Sequence, residues 1–200
     1  MSLSATTITE AKRALRARMR AARETIGSAE RQRTAEALAV AAPTIARLIP
    51  NGPIAGFWPV KGEIDPRLLM QALARLGAEL ALPVTARPTL LFRRWQPGDR
   101  LVPAAFGLLE PEASAPKLLP ATLLVPLLAF DRQGGRLGYG AGHYDTLIPH
   151  LRALCHLTTI GLAFAGQEVA EVPCEPHDQR LDYILTVSAF ITCQPAPPRG

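Results

Sequence analysis

The chain has 200 residues, 48% of them apolar and 20% charged, a balance that excludes a disordered or fibrous protein and suffices for one domain with a sizeable core. No apolar run approaches the roughly 18 residues of a membrane span, the charged N-terminal stretch holds no apolar signal core, and Cys155, Cys174 and Cys193 form no Cys-x-x-Cys pair; a reduced, cytoplasmic setting without membrane or zinc framework is expected. The net charge of +5 is concentrated between Lys12 and Arg33, which suits nucleic acid or an anionic small ligand; only 6% of residues are aromatic, and composition alone does not choose between the two.

In chain order, Thr7-Ile8-Thr9-Glu10 fits a capping box, and Leu15, Met19, Ala22 and Ile26 form an apolar helical stripe behind it. Lys12 and Arg16 stand four apart on one face, where they either meet a common ligand or form a solvated basic face. A second helix opens at Ser28, with Pro43 ending or kinking it, and Pro50-Asn51-Gly52-Pro53 is a turn. Ile54–Trp58 reads as the first buried strand, and the loop Pro59–Asp65, with Lys61 and Glu63, sits at its end, where function concentrates. Pro66 opens a helix whose buried face is Leu68, Leu69, Ala72, Leu73 and Leu76. Glu79–Val84 and Leu90–Trp95 read as strands, Phe106–Pro111 as extended, and Ala113–Pro120 as a linker. Leu123–Phe130, Thr158–Phe164 and Tyr183–Val187 are further strands, with a helix over Thr146–Leu154 and a polar, turn-rich segment over Glu171–Asp182. The alternation predicts one α/β domain over residues 1–193 with a mostly parallel sheet, followed by a Pro-rich disordered tail, 194–200.

The most informative stretch runs from Asp131 to Asp145: Asp-Arg-Gln-Gly-Gly-Arg-Leu-Gly-Tyr-Gly-Ala-Gly-His-Tyr-Asp. An apolar strand precedes it and a helix follows, so the loop is expected at the carboxyl edge of the sheet, where α/β proteins keep ligands. It is not a Walker loop, because no Lys-Ser/Thr sits at the right offset, and Gly138-x-Gly140-x-Gly142 is one residue short of the dinucleotide fingerprint. Glycines remove the Cβ atoms that keep a backbone away from phosphate, and loop amides ahead of a helix N-terminus converge on phosphate oxygens. Arg136 adds a fork for phosphate and Asp145 a hard oxygen for Mg²⁺.

This stretch resembles the signature of the 5-formyltetrahydrofolate cyclo-ligase family, Gly-x-Arg-Leu-Gly-x-Gly-x-Gly-Tyr-Tyr-Asp, departing from it at His143 and, just after it, at Thr146. The resemblance covers most of the chain and implies a three-layer α/β/α, Rossmann-like fold. It further implies ATP- and Mg²⁺-dependent conversion of 5-formyltetrahydrofolate, with or without a polyglutamate tail, to 5,10-methenyltetrahydrofolate, by a cytoplasmic monomer without nucleic-acid or membrane partners. It assigns ATP to the first helix through Lys12, Arg13, Ala14, Leu15 and Arg16, and to Arg136, Leu137, Gly138, Tyr139, Gly140, Ala141, Gly142, His143 and Tyr144. Folate falls to Trp58, Glu63, Tyr139 and His143, and the metal to Asp145 and Asp178, with Asp182 as the rival second ligand. Two other classes stay open at this stage: a non-ATP enzyme on a similar sheet, such as a sugar-phosphate isomerase or CoA transferase using Glu63, and a basic nucleic-acid-binding module.

Overall fold

The computed structural model describes residues 5–49, 51–60, 62–86 and 89–193; Pro50, Lys61 and the predicted tail, 194–200, lie outside the described residues. The elements follow in chain order. Helices α1 (Ala5–Glu24), α2 (Ser28–Val40) and α3 (Ala42–Leu48) come first, then strand β1 (Ile54–Ala55), helix α4 (Arg67–Arg75), and strands β2 (Leu80–Ala86) and β3 (Thr89–Arg94). Short strands β4 (Leu101–Pro103) and β5 (Leu109–Pro111) precede β6 (Thr122–Pro126), β7 (Ala129–Phe130) and β8 (Arg136–Leu137). Helix α5 (His143–Leu154), β9 (Thr158–Leu162), β10 (Tyr183–Leu185) and β11 (Phe190–Thr192) complete the chain.

The main sheet has the order β11-β10-β9-β6-β1-β2-β3. Its central pairs are parallel, and the two edge strands β3 and β11 run antiparallel to their neighbours. Side chains alternate between two cores, as the pleat requires. Ile54, Leu80, Leu82, Leu124 and Ile160 face Leu38, Ile45, Leu69, Met70 and Leu73 from α2, α3 and α4. Ala55, Ala81, Leu123 and Val125 face Leu147, Ile148 and Leu151 from α5. Helices on both faces bury runs such as Leu123-Leu124-Val125 entirely, and the three layers are those the sequence predicts. Among the described residues, no helix is long and apolar enough to cross a membrane.

Several local expectations change. The apolar run 123–130 is not one strand. After Pro126 the backbone leaves the sheet, the buried Gln167 amide donates to the Leu127 and Leu128 carbonyls (3.0 and 3.1 Å), and β7 pairs with β8 as a separate hairpin. The first strand is only Ile54–Ala55, because Phe57 and Trp58 turn out of the ladder to pack. The capping box does not start α1, which already includes Ala5 and Thr6. Ala22 is exposed and Arg23 is buried in its stead, while Leu76 of the α4 face is 53% exposed. Pro43 opens α3 rather than ending α2 within a turn. Phe106–Pro111 is a 3₁₀ turn leading into β5, and the Ala113–Pro120 segment straps the β3 edge through Arg94 N–H to Pro116 O and Leu118 N–H to Phe92 O.

Helix α1 belongs to neither layer. Its Leu15 and Met19 pack on Leu128, Ala129 and Leu137 of the hairpin and on Val172, which lays the helix across the loops at the carboxyl edge of the sheet.

Candidate active site

The glycine-rich stretch divides in two. Asp131, 2% exposed, accepts from the backbone N–H groups of Gln133, Gly135 and Val172 at 2.9–3.0 Å, which builds the hairpin turn and ties it to the 172 strand of chain. Gly135 is required there, since a Cβ on it would lie 2.4 Å from an Asp131 carboxylate oxygen. Gly134 and Gly135 therefore shape the turn, and only the later glycines reach the cleft. Gly142, at φ 70°, caps α5, which starts three residues earlier than the sequence suggests, so that Asp145 falls inside its first turn rather than just ahead of it.

The cleft, about 330 Å³, is lined on one side by Arg136 and the Gly138–Asp145 loop and on the other by Thr9, Lys12 and Arg16 of α1 with Glu175, His177 and Asp178. Lys12 is 6% exposed and donates to Asp178 (2.5 Å) and Glu175 (2.7 Å). It is therefore not a solvated basic residue. Burial alone would lower its pKa; the hydrogen bonds and charges of Asp178 and Glu175 outweigh burial and raise it. Arg136 is buried and donates to Asp145 Oδ1 at 2.7 Å, which also accepts from the Gln179 N–H at 3.0 Å. Burial lowers the Arg136 pKa, opposed chiefly by Asp145. Lys12 and Arg136 are thus each held against a carboxylate. Arg16 donates to the Gly138 carbonyl at 3.0 Å and Arg20 to the Tyr139 carbonyl at 3.1 Å, so α1 grips the loop backbone directly.

Tyr139 links this cleft to Glu63. Its hydroxyl accepts from Arg23 and lies beside the Glu63 carboxylate, which accepts from the Val60 N–H at 3.1 Å. Burial raises the Glu63 pKa, and the Val60 N–H, Tyr139 and Arg23 work against that rise. Burial likewise raises the tyrosine pKa values of Tyr139 and Tyr144, so both hydroxyls stay protonated donors. Trp58 is half-buried, edge-to-face with Trp95 at 6.2 Å and with Arg67 over its ring at 5.1 Å.

The sequence-derived positions sort as follows. Lys12, Arg16, Arg136, Leu137, Gly138, Tyr139, Gly140, Ala141, Gly142, His143, Tyr144, Asp145 and Asp178 line one cleft. Arg13 and Ala14 are exposed, and Leu15 is spent on packing, so none of the three lines it. Glu63 meets the cleft only through Tyr139, and Trp58 is outside its lining. Asp182 is structural: it accepts from the Thr159 N–H and hydroxyl at 2.8 Å and from Arg152, joining β9 to β10 away from the cleft. Sequence reasoning missed Glu175, two residues before His177, and Arg23, which continues the Lys12–Arg16 face by seven residues and was legible from that spacing.

The arrangement of a glycine loop, a helix start and paired cations suits an anionic, phosphate-bearing ligand. Comparison with known proteins decides the family. The sequence model of the 5-formyltetrahydrofolate cyclo-ligase family matches residues 8–187. The chain belongs to that family. It is an enzyme of this family, 36% identical over 146 residues to the 5-formyltetrahydrofolate cyclo-ligase of Mycolicibacterium smegmatis, covering 66% of this chain and 72% of that one. It is 33% identical over 144 residues to the Escherichia coli protein of the same name, covering 68% and 78%. Among solved structures it is similar to the 5,10-methenyltetrahydrofolate synthetase of Aquifex aeolicus, with a TM-score of 0.78 and 25% identity over 94% of this chain and 96% of that one. The fold is shared with the Mycoplasma pneumoniae synthetase at a TM-score of 0.67 and 21% identity, over 88% and 98% of the two chains.

Proposed function

We propose that this cyclo-ligase converts 5-formyltetrahydrofolate to 5,10-methenyltetrahydrofolate at the expense of ATP, releasing ADP and phosphate. The observation that carries the reading is the convergence of Lys12, Arg16, Arg136 and the Gly138–Gly142 backbone on one cleft whose other groups are carboxylates. A formamide oxygen is a poor leaving group. In the proposed reaction it takes the γ-phosphoryl group of ATP, N10 adds to the formyl carbon and loses its proton, and phosphate departs to leave the methenyl bridge. Phosphoryl transfer asks for positioning and charge stabilisation more than for a protein nucleophile. Lys12 and Arg136 supply that charge: each faces a carboxylate, and each turns to phosphate when that carboxylate has another partner. Arg16 holds the loop that carries the amides.

Asp145, Glu175 and Asp178 offer hard oxygens on the cleft wall, a donor set that fits Mg²⁺ better than a softer metal. Asp145 and Asp178 are proposed as its ligands, and the ion when bound supplies neutralisation of the phosphate oxygens. Glu63 is proposed to hold the donor edge of the pterin, with Tyr139 beside it. A nucleic-acid module gains no support, because Lys12, Arg16 and Arg20 of α1 turn onto carboxylates and loop carbonyls. The test is absorbance of the methenyl product with the full chain. Product is expected only when 5-formyltetrahydrofolate, ATP and Mg²⁺ are all present; product formation without ATP overturns the phosphoryl-transfer reading.

A further inference from the structure

We infer that Arg23 is a positioning residue for the folate end of the site: acting through the Tyr139 hydroxyl, it fixes the direction of the Glu63 carboxylate. The inference rests on the proposed role of Glu63 toward folate. Arg23 lies in the last turn of α1, where an arginine ordinarily stays in water near the free carbonyls. Here it is 8% exposed, its guanidinium donates to the Tyr139 hydroxyl, and its Cζ lies 5.1 Å from the centre of that ring. A phenol has one proton to give, and with Arg23 as its donor partner that proton is left to turn toward the Glu63 carboxylate beside it. The hydroxyl is thereby polarised from one side and aimed from the other. The Arg23 charge also reaches Glu63 across that hydroxyl and favours its carboxylate form, against the larger effect of burial.

A second connection runs through the backbone. The Arg23 carbonyl accepts from Arg31 at 2.7 Å, and Arg31 also donates to the carbonyl of Gly62, the residue before Glu63. Arg23 therefore meets the Glu63 loop by two routes, one at its side chain and one at its main chain. Glu63 accepts from the Val60 N–H, lies beside the Tyr139 hydroxyl, and keeps the remainder of its about four lone-pair positions for a ligand. Lys12 and Arg16, earlier on the same helix, serve the phosphate side. One helix thus orients both halves of the site, with Arg23 assigned to the half that binds folate.

The test compares Arg23→Met, Arg23→Lys, Tyr139→Phe, Glu63→Gln and the double variant Arg23→Met/Glu63→Gln by steady-state kinetics, with thermal melting as the folding control. Arg23→Met is expected to raise the KM for 5-formyltetrahydrofolate about tenfold, the factor that loss of a charge-assisted hydrogen bond gives. The KM for ATP and kcat stay within about twofold, a split that a general loosening of α1 would not produce. Arg23→Lys recovers most of the loss, Tyr139→Phe reproduces it with the ring retained, and the double variant is no worse than Glu63→Gln alone. Equal losses for both substrates, or an unchanged folate KM in Tyr139→Phe while Glu63→Gln impairs it, overturn the role of Arg23 alone. An unchanged folate KM in Glu63→Gln overturns the reading of Glu63, and this inference with it.

Discussion

The two halves of the glycine-rich stretch each combine glycines with an arginine and an aspartate, and have opposite duties. Gly134 and Gly135 lie in a turn organised by a carboxylate sealed from water, with no open space beside them. Gly138, Gly140 and Gly142 lie along an open cleft, and nothing but the Arg136 and Arg16 side chains comes within 4 Å of a Cβ built on them. A glycine therefore means close packing in the first half and room for a ligand in the second. Asp131 and Asp145 repeat the contrast: one carboxylate is consumed by three backbone N–H groups, the other faces the cleft against a cation.

Substitutions can break this comparison, beginning with the largest expected effect. Gly135→Ala drives a methyl into the Asp131 carboxylate and should cost about 3 kcal/mol or more, from overpacking together with lost charged hydrogen bonds. Chemical denaturation measures it, and a near wild-type midpoint would show that the turn yields. Asp145→Asn should reduce kcat/KM about 100-fold and abolish the response to added Mg²⁺, because the proposed ligand charge is gone. It should also lower the melting temperature, since Arg136 loses its counter-charge. A wild-type Mg²⁺ titration in that variant would remove Asp145 from the metal site. Lys12→Ala should reduce kcat/KM for ATP by roughly 10–100-fold. It should lower stability as well, because Glu175 and Asp178 are left facing each other beside a vacated ammonium. Gly138→Ala sharpens the contrast: its Cβ has only ordinary contact, 3.7 Å from Arg136, so melting should be unchanged while the KM for ATP rises about fivefold. A melting loss as large as that of Gly135→Ala would erase the distinction between the halves.

The smallest effect concerns pH. Burial raises the folded-state pKa of Glu63 above its unfolded value, so the folded chain holds the proton more tightly. Stability is therefore lost as pH rises from the unfolded carboxylate pKa through the raised one, and Glu63→Gln removes that loss. The variant should melt slightly above wild type at neutral pH, and the difference should vanish below about pH 4, where both side chains are uncharged. Melting scans across that range read the sign directly.

The layers were legible because strand and helix periods differ and because helices on both faces leave continuous apolar runs. The cleft was legible where chemistry depends on local sequence: Arg136, the later glycines, Asp145, and the Lys12–Arg16 spacing. The hairpin was not, because Leu123–Phe130 is apolar throughout and nothing local marks where a strand leaves its sheet; the side chain that satisfies the freed carbonyls, Gln167, lies 40 residues away. Arg13 and Ala14 illustrate the opposite error, since adjacency in sequence is not adjacency on a helix: they sit about 100° and 200° around from Lys12 and point to solvent. The carboxylate partners of Lys12 were not legible, because they come from the far end of the chain, 163 and 166 residues on.

The placement of α1 also fixes an order of events during synthesis. Among the described elements it is translated first, yet the apolar partners of Leu15 and Met19 all come after residue 127, and Arg16 waits for a carbonyl 122 residues later. On the ribosome the helix must idle, amphipathic and uncovered, until the hairpin emerges. Docking it closes the longest loops in the molecule, a step that is slow by its topology. The cleft between α1 and the Gly138–Asp145 loop therefore closes only after that hairpin has been made, and a chain cut short before the 172–178 segment lacks Glu175 and Asp178, the two carboxylates that Lys12 faces.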